Sequence, residues 1–418
     1  MKKCIALVGA AVLLILAGCS RPAENRLVVW SFTDEVEGMI NMFNVGDALG
    51  MEIAYSLTPT DQFPDRLNPA LVSGGNAAPD VFALESAFMR TYMESGLLLD
   101  LSDLYEEVRG RVLRYPVEMA TYNGKIYGMS WQATPGALFY RRSLAIRYLG
   151  TDDPARVQEY FNSWDAFLAT AQNISAQSNG RTKIVSSVQD LSFPFYASRT
   201  QPWIVNNQLY VDPAAIRYLE MGKFLRDNGL DGRATQWDES WFAGMRGELA
   251  DETGNPVEVF SYLLPTWGLH YVLAQNAPAT SGDWAMIPGP APWFWGGTWL
   301  AAYSGTKNPE AAKNFIRQLT TNEDNLYKWA RETGDFLNNT AVVDRIVDDF
   351  SMDFLGGQNH YAAFAAMAPN IDGSLIQGTD QAIQALFLEA VNQYVNNEGT
   401  LEQVLDRFRE QVNAQLGL

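Results

Sequence analysis

The sequence predicts an α/β chain folded as two lobes. Three observations carry that reading: an opening alternation of strands and helices, a length beyond one compact core, and no disulfide or long linker. The alternation begins at Leu27-Val28-Val29-Trp30, a short apolar strand. Glu35 to Ala48 follows as a helix, with Met39, Ile40, Met42 and Phe43 as its apolar face. Met51 to Leu57 alternates as a second strand. Asp65 to Val72 is helical up to Gly74-Gly75, and Pro79-Asp80-Val81-Phe82-Ala83-Leu84 opens a third strand, with Asp80 as a turn residue. Strand–helix–strand–helix–strand is the pattern of a mostly parallel sheet with helices on both faces.

Length and cysteine content extend this. A chain of 418 residues buries ample apolar surface but exceeds one compact core, which favours two lobes. Its two cysteines are Cys4 and Cys19, and only Cys19 outlasts the N-terminal segment described next. The body therefore has no disulfide and no thiolate metal site. Later helices carry their own start signals. Asp212-Pro213 sets an N-cap acceptor before a proline at the first helical position, with Ile216, Leu219, Met221 and Leu225 following and Gly229 just past the end. Asn308-Pro309-Glu310 repeats the device ahead of Ala312, Phe315, Ile316 and Leu319. Gly399 or Thr400 starts a last helix that runs from about Leu401 to Leu416.

The N-terminus sets the compartment. Lys2 and Lys3 precede an apolar run from Cys4 to Ala17, which ends in Leu16-Ala17-Gly18-Cys19. The run is too short for a membrane span, which needs about 20 residues, and reads as a signal peptide over residues 1–18. Leu-Ala-Gly-Cys resembles the bacterial lipobox, so Cys19 is the expected lipidation site, at the head of a polar tether over 19–25. Acyl chains contribute roughly 0.8 kcal/mol per buried CH₂, enough for several chains to hold a protein at a membrane. The net charge of −18 becomes more negative once Lys2 and Lys3 leave. A body this acidic is repelled by nucleic acid and by anionic lipid, so neither is an expected partner of its surface.

Asn123-Gly124-Lys125-Ile126-Tyr127-Gly128-Met129-Ser130-Trp131, continuing to Leu138-Phe139-Tyr140-Arg141, resembles a signature of family 1 extracellular solute-binding proteins, the broad group that includes maltose-binding protein. Ala78-Pro79-Asp80-Val81, the Asp212 helix, Phe242-Ala243-Gly244-Met245, Trp284 to Gly289, Gly296-Gly297, Asn308 to Ala312 and Thr333-Gly334-Asp335-Phe336 recur in the same order. The sequence departs from the pattern at Arg141-Arg142, where Asn-Lys is usual. It departs again at Thr134, near a ligand-contacting Glu of maltose-binding protein, so that protein's contacts do not transfer. The resemblance implies a type II-like periplasmic-binding-protein fold whose hinge of several crossings closes two lobes over a ligand. It also implies one lobe from 26–133 plus 285–335, the other from 134–284 plus 336–418, and ABC permease subunits as partners. A monomer is expected, with no cofactor and no metal.

A sugar offers C–H faces that pack on aromatic rings and hydroxyl edges that bond to carboxylates and amides. Of the twelve tryptophans, Trp164, Trp284 and Trp329 fall in regular elements and read as core. Trp30, Trp131, Trp267, Trp293, Trp295 and Trp299 fall at strand ends or in Gly/Pro-rich segments, where ligands meet an open α/β sheet. Gly297, in Trp293-Phe294-Trp295-Gly296-Gly297-Thr298-Trp299, would let backbone approach a ligand, although a buried strand face also accounts for that stretch. Polar candidates are Thr33 and Asp34 after the first strand, Glu85 after the third, Gln132 beside Trp131, and Asp372 after Pro369-Asn370-Ile371. Asp34 is equally placed to cap the helix that follows.

These residues predict a carbohydrate ligand, with two alternatives. Aromatics beside carboxylates also suit a polyamine, and a glycoside hydrolase would use the same platforms with two carboxylates. No G-x-S-x-G, H-E-x-x-H or Walker loop is present, and His270 and His360 sit in aromatic surroundings that suit packing.

Overall fold

The structure, a computed structural model, describes residues 25–418. The signal segment and Cys19 lie outside the described residues.

Two four-stranded sheets organise the chain. In the first, Arg26–Ser31 pairs in parallel with Glu52–Leu57 and with Val81–Glu85, as the opening alternation predicts. Its fourth strand, Thr298–Ala302, is antiparallel to Val81–Glu85. The second sheet runs Trp284–Ile287, Gly136–Arg141, Glu258–Pro265, Thr182–Val185. Only its last pair is parallel, so the expectation of mostly parallel pairing fails there. The reason lies in the route of the chain. Gly136–Arg141 carries it out into the second lobe and Trp284–Ile287 carries it back, so these neighbours oppose one another.

Local signals account for most helices. Asp212 Oδ1 accepts the Ala214 N–H at 2.8 Å and caps Pro213–Asp227. Thr400 and Gln403 form a reciprocal capping box at the start of Leu401–Leu416. Asn308 precedes Pro309–Thr320, but its side chain makes no capping bond. The single helix expected over 35–48 is two, Glu35–Met42 and Val45–Leu49, parted by Asn44 in the left-handed region at φ 49°. Asparagine tolerates that conformation better than most residues. Trp164, Trp284 and Trp329 are buried, as expected of core.

One extended stretch, residues 131–136, joins the two sheets and is bonded on both flanks. On one side Ala133 N–H donates to Phe336 O at 2.9 Å, and Asn338 N–H to Trp131 O at 2.8 Å. On the other, Gly136 N–H donates to Trp293 O at 2.8 Å, and Trp295 N–H to Thr134 O at 3.3 Å. Three crossings therefore lie side by side, at 131–136, 293–298 and 335–338. Residues 285–287, which the sequence division put with the first lobe, pair with Gly136–Arg141 in the second sheet.

Gly136 is where the hinge is tightest. A Cβ there would lie 2.1 Å from Cε2 of the buried Trp293 ring. Overpacking of this kind costs about 1–3 kcal/mol. Gly136→Ala is therefore expected to lower the midpoint of urea unfolding, whereas Gly110→Ala, at an open surface turn, should lose less despite its φ of 77°.

Candidate functional site

The crossings leave a cleft between the sheets. One hollow of roughly 750 Å³ is lined by Asp61, Pro64, Glu85 and Phe88 from one side and by Trp237 and Gln381 from the other. Glu85 and Gln381 also line an adjoining hollow of roughly 320 Å³, which extends to Phe193, Trp295 and Gln384. Both volumes fall in the range of small-molecule sites.

The second lobe supplies an aromatic wall. Trp237 lies nearly parallel to Trp267, at 9° with centroids 6.2 Å apart. Trp295 meets Trp267 edge-on at 5.0 Å and Trp237 edge-on at 5.8 Å, and it stacks on Phe193 at 4.3 Å. The Trp267 indole N–H donates to Trp295 O at 3.0 Å, which fixes the two rings to each other. Trp237 is 47% exposed. Its backbone sits at φ 75°, a conformation that bulky side chains rarely adopt. Strain of this kind persists only where the surroundings enforce it, and it concentrates at functional sites. Here Gln236 N–H donates to Gln189 Oε1 at 2.8 Å, and Asp190 accepts from the Gln236 amide and from the Trp241 indole. Burial pushes the Asp190 carboxyl up to about 7.

Polar groups line the cleft beside this wall or opposite it. Glu85 caps the helix Ser86–Glu94, accepting from Ser86 Oγ–H at 2.6 Å and from Ala87 N–H at 2.8 Å. It thus does both jobs that a carboxylate at a strand end can do, capping a helix and lining a cleft. Burial raises its pKa. Gln381 and Gln384 share a face of the helix Asp380–Val395. Neither amide group bonds to another described residue.

Of the residues singled out in the sequence, Glu85, Trp267, Trp295 and Asp372 come together at the cleft. Asp372 is exposed and accepts from Ser374 N–H at 2.8 Å; the Ser374 hydroxyl first, and that N–H with it, hold its pKa below the usual carboxylate range. Gly296 and Gly297 have φ of 75° and 107°. They turn the chain so that Trp295 faces the cleft and Trp299 the core. The part expected of Gly297 thus becomes a conformational one.

The others lie elsewhere. Trp131, Gln132 and Trp299 are 0%, 5% and 2% exposed, packed into the hinge and core. The Trp131 indole donates to Asp335 at 3.1 Å and the Trp299 indole to Pro116 O at 2.9 Å. The Trp30 ring is covered by the Arg66 guanidinium, 3.9 Å from its centroid. Thr33 is spent on a local turn with Ser31 and Glu35. Asp34 stands exposed at the N-cap of Glu35–Met42 and makes no capping bond. Sequence reasoning passed over Trp237, Phe193, Gln381 and Gln384. The signal for Trp237 was a tryptophan inside the polar run Arg233-Ala234-Thr235-Gln236-Trp237-Asp238.

A second polar cluster sits at the hinge. Asp335 Oδ2 accepts from the indoles of Trp131 and Trp329, both at 3.1 Å. Burial holds Asp335 and its neighbour Glu35 above the ordinary carboxylate range, and the charge of Asp335 raises Glu35 further. Carboxyls raised by folding bind protons more tightly in the native state than in the unfolded chain. Their stabilisation is complete at acid pH, below the unfolded pKa, and is lost as pH rises through the folded values. Melting temperature is therefore expected to fall between mildly acid and mildly alkaline pH. Glu35→Gln should flatten that slope, as read by calorimetry across a pH series.

Among the described residues, no group of three His, Cys, Asp or Glu is placed to hold a metal ion. No described helix is long and apolar enough to cross a membrane. His270 and His360 pack edge to face, 5.6 Å apart.

Two sheets joined by three crossings around an aromatic cleft are the architecture of a two-lobed solute-binding protein. The comparisons agree. The profile of the bacterial extracellular solute-binding protein family matches residues 39–355, and the chain belongs to that family. Its relatives are binding proteins of ABC transporters rather than enzymes, which removes the glycoside hydrolase alternative. The chain is 22% identical to the arabinooligosaccharide-binding protein of Bacillus subtilis (strain 168) over 352 residues, 76% of this chain and 75% of that one. An extracellular solute-binding protein family 1 structure superposes with a TM-score of 0.81 at 19% identity, over 93% of this chain and 99% of the other. The ABC transporter associated binding protein from B. animalis subsp. lactis Bl-04, in complex with beta-1,6-galactobiose, superposes with a TM-score of 0.70 at 20% identity, over 94% and 97%.

Proposed function

We propose that the chain is the carbohydrate receptor of an ABC importer, that its ligand is an oligosaccharide, and that Cys19 anchors it by a lipid to the outer side of a bacterial membrane. The observation that carries the ligand class is the succession of two aromatic platforms, Trp237 with Trp267 and then Trp295 with Phe193, along two adjoining hollows. A single ring would occupy one platform; a chain of rings occupies both. The unbonded amides of Gln381 and Gln384 suit hydroxyl edges, since an amide both donates and accepts. The sugars in the names of the Bacillus subtilis and B. animalis relatives are of the same class.

In this reading the lobes close about the crossings at 131–136, 293–298 and 335–338, and the closed pair presents one surface to the permease. The protein acts as a monomer. Acylation of Cys19 adds the mass of a diacylglycerol thioether to the mature N-terminal peptide.

A thermal-shift panel of arabino-, galacto- and gluco-oligosaccharides with polyamines tests the ligand class. The true ligand stabilises by RT ln(1 + [L]/Kd), about 2.7 kcal/mol at a hundredfold excess over Kd. Oligosaccharides should raise the melting temperature and polyamines should not; a response to polyamines alone overturns the carbohydrate reading. In the same assay Trp237→Gly relieves a strained φ while removing a platform. It should keep its unliganded melting temperature and bind the sugar more weakly by roughly 2 kcal/mol, or about thirtyfold.

A further inference from the structure

The cleft wall also holds a charged pair that the aromatic platforms do not explain. Arg199 and Asp380 are 5% and 4% exposed, and Arg199 Nη2 donates to Asp380 Oδ2 at 2.9 Å. Arg199 is fixed by donation from Nε to Tyr196 O at 2.9 Å and by the Trp203 ring, whose centroid is 4.8 Å from the guanidinium carbon. Asp380 opens the helix Asp380–Val395.

These contacts use only part of each group. Arg199 Nη1, Asp380 Oδ1 and the neighbouring Thr379 Oγ1 are buried and have no partner among the described residues. A buried polar atom left unpaired costs about 1–3 kcal/mol, and more when charged. Three of them around one ion pair mark a place built to be completed by something else.

The pair borders two hollows that share the Trp295–Phe193 stack. Asp380 lines the one of roughly 320 Å³, and Arg199 lines a smaller one of about 60 Å³. Gln384, whose amide bonds no described residue, lines both.

We propose that Arg199 Nη1 and Asp380 Oδ1 together read a hydroxyl of a sugar ring seated on Trp295, so that this pair determines specificity at that end of the cleft. A hydroxyl is the group that fits both atoms: its oxygen accepts from the guanidinium and its proton goes to the carboxylate. A cation meets the charge of Arg199, an anion meets that of Asp380, and an apolar group leaves both unpaired. The pair thus selects a neutral polyol and disfavours a polyamine, which the exposed acidity of the chain alone would not do. This inference rests on the carbohydrate reading above.

The test is calorimetric titration of the full-length mature protein with the oligosaccharide that raises its melting temperature most in the panel, and with the monodeoxy analogues of its terminal rings. One analogue should bind the wild-type protein roughly ten- to a hundredfold more weakly than the parent sugar. For Asp380→Asn and for Arg199→Lys, parent and analogue should bind with nearly equal affinity, because the hydroxyl has lost its reader. If the two losses simply add, or if no terminal deoxygenation matters to the wild type, the pair is structural and the inference is overturned while the carbohydrate reading stands. If no sugar binds the wild type, both fall together. The wild-type arm needs no variant, so an absent effect of terminal deoxygenation overturns the inference even if a substituted pair fails to fold.

Discussion

Everything in this molecule hangs on the extended stretch 131–136, which is hydrogen-bonded to 335–338 on one flank and to 293–298 on the other. Backbone pairing of this kind gives partners to amides that would otherwise be buried unpaired, yet it concentrates the covalent connection between the lobes in one narrow band. The side chains reinforce it. Asp335 ties Trp131 to Trp329, the Gln132 amide donates to Thr298 Oγ1 at 3.2 Å, and the Trp293 ring lies against Gly136. The hinge thus combines extended, hydrogen-bonded backbone with packed rings.

The same band explains which tryptophans reach the cleft. Trp131, Trp293 and Trp299 are consumed in making the crossings rigid, and their neighbours Trp267 and Trp295 are what the rigid crossings display. The Gly296-Gly297 turn divides the two groups within a few residues. Trp237 arrives from another direction, on a loop whose strained backbone is held by Gln189 and Asp190. The aromatic wall is thus assembled from segments far apart in sequence. It gains its order from the hinge and from Asp190 rather than from any one motif.

Much of the fold was legible in the sequence because its signals are local. The parallel start of the first sheet follows from alternation between Leu27 and Leu84. The helix starts at Asp212 and Thr400 follow from residues that offer an oxygen to the first turn. The antiparallel pairing of the second sheet was not legible, since it depends on where the chain turns back between lobes. The site was read in part for the same reason. Glu85, Trp267 and Trp295 stand at ends of strands and crossings, where position implies exposure. Trp131 and Trp299 stand at similar positions and are buried, because which face of a crossing points inward is a tertiary matter. Gln381 and Gln384 look like any solvated helix face until the first lobe is placed opposite them. Cys19 speaks through its own motif.

A crystal structure of the protein with a bound oligosaccharide addresses the central claim most directly. Sugar rings should lie on the Trp237–Trp267 and Trp295–Phe193 platforms, with hydroxyls bonded to Gln381 and Gln384 and the lobes drawn together about 131–136. A sugar bound outside the cleft, or one held within it without contact to these rings, would rule out this site.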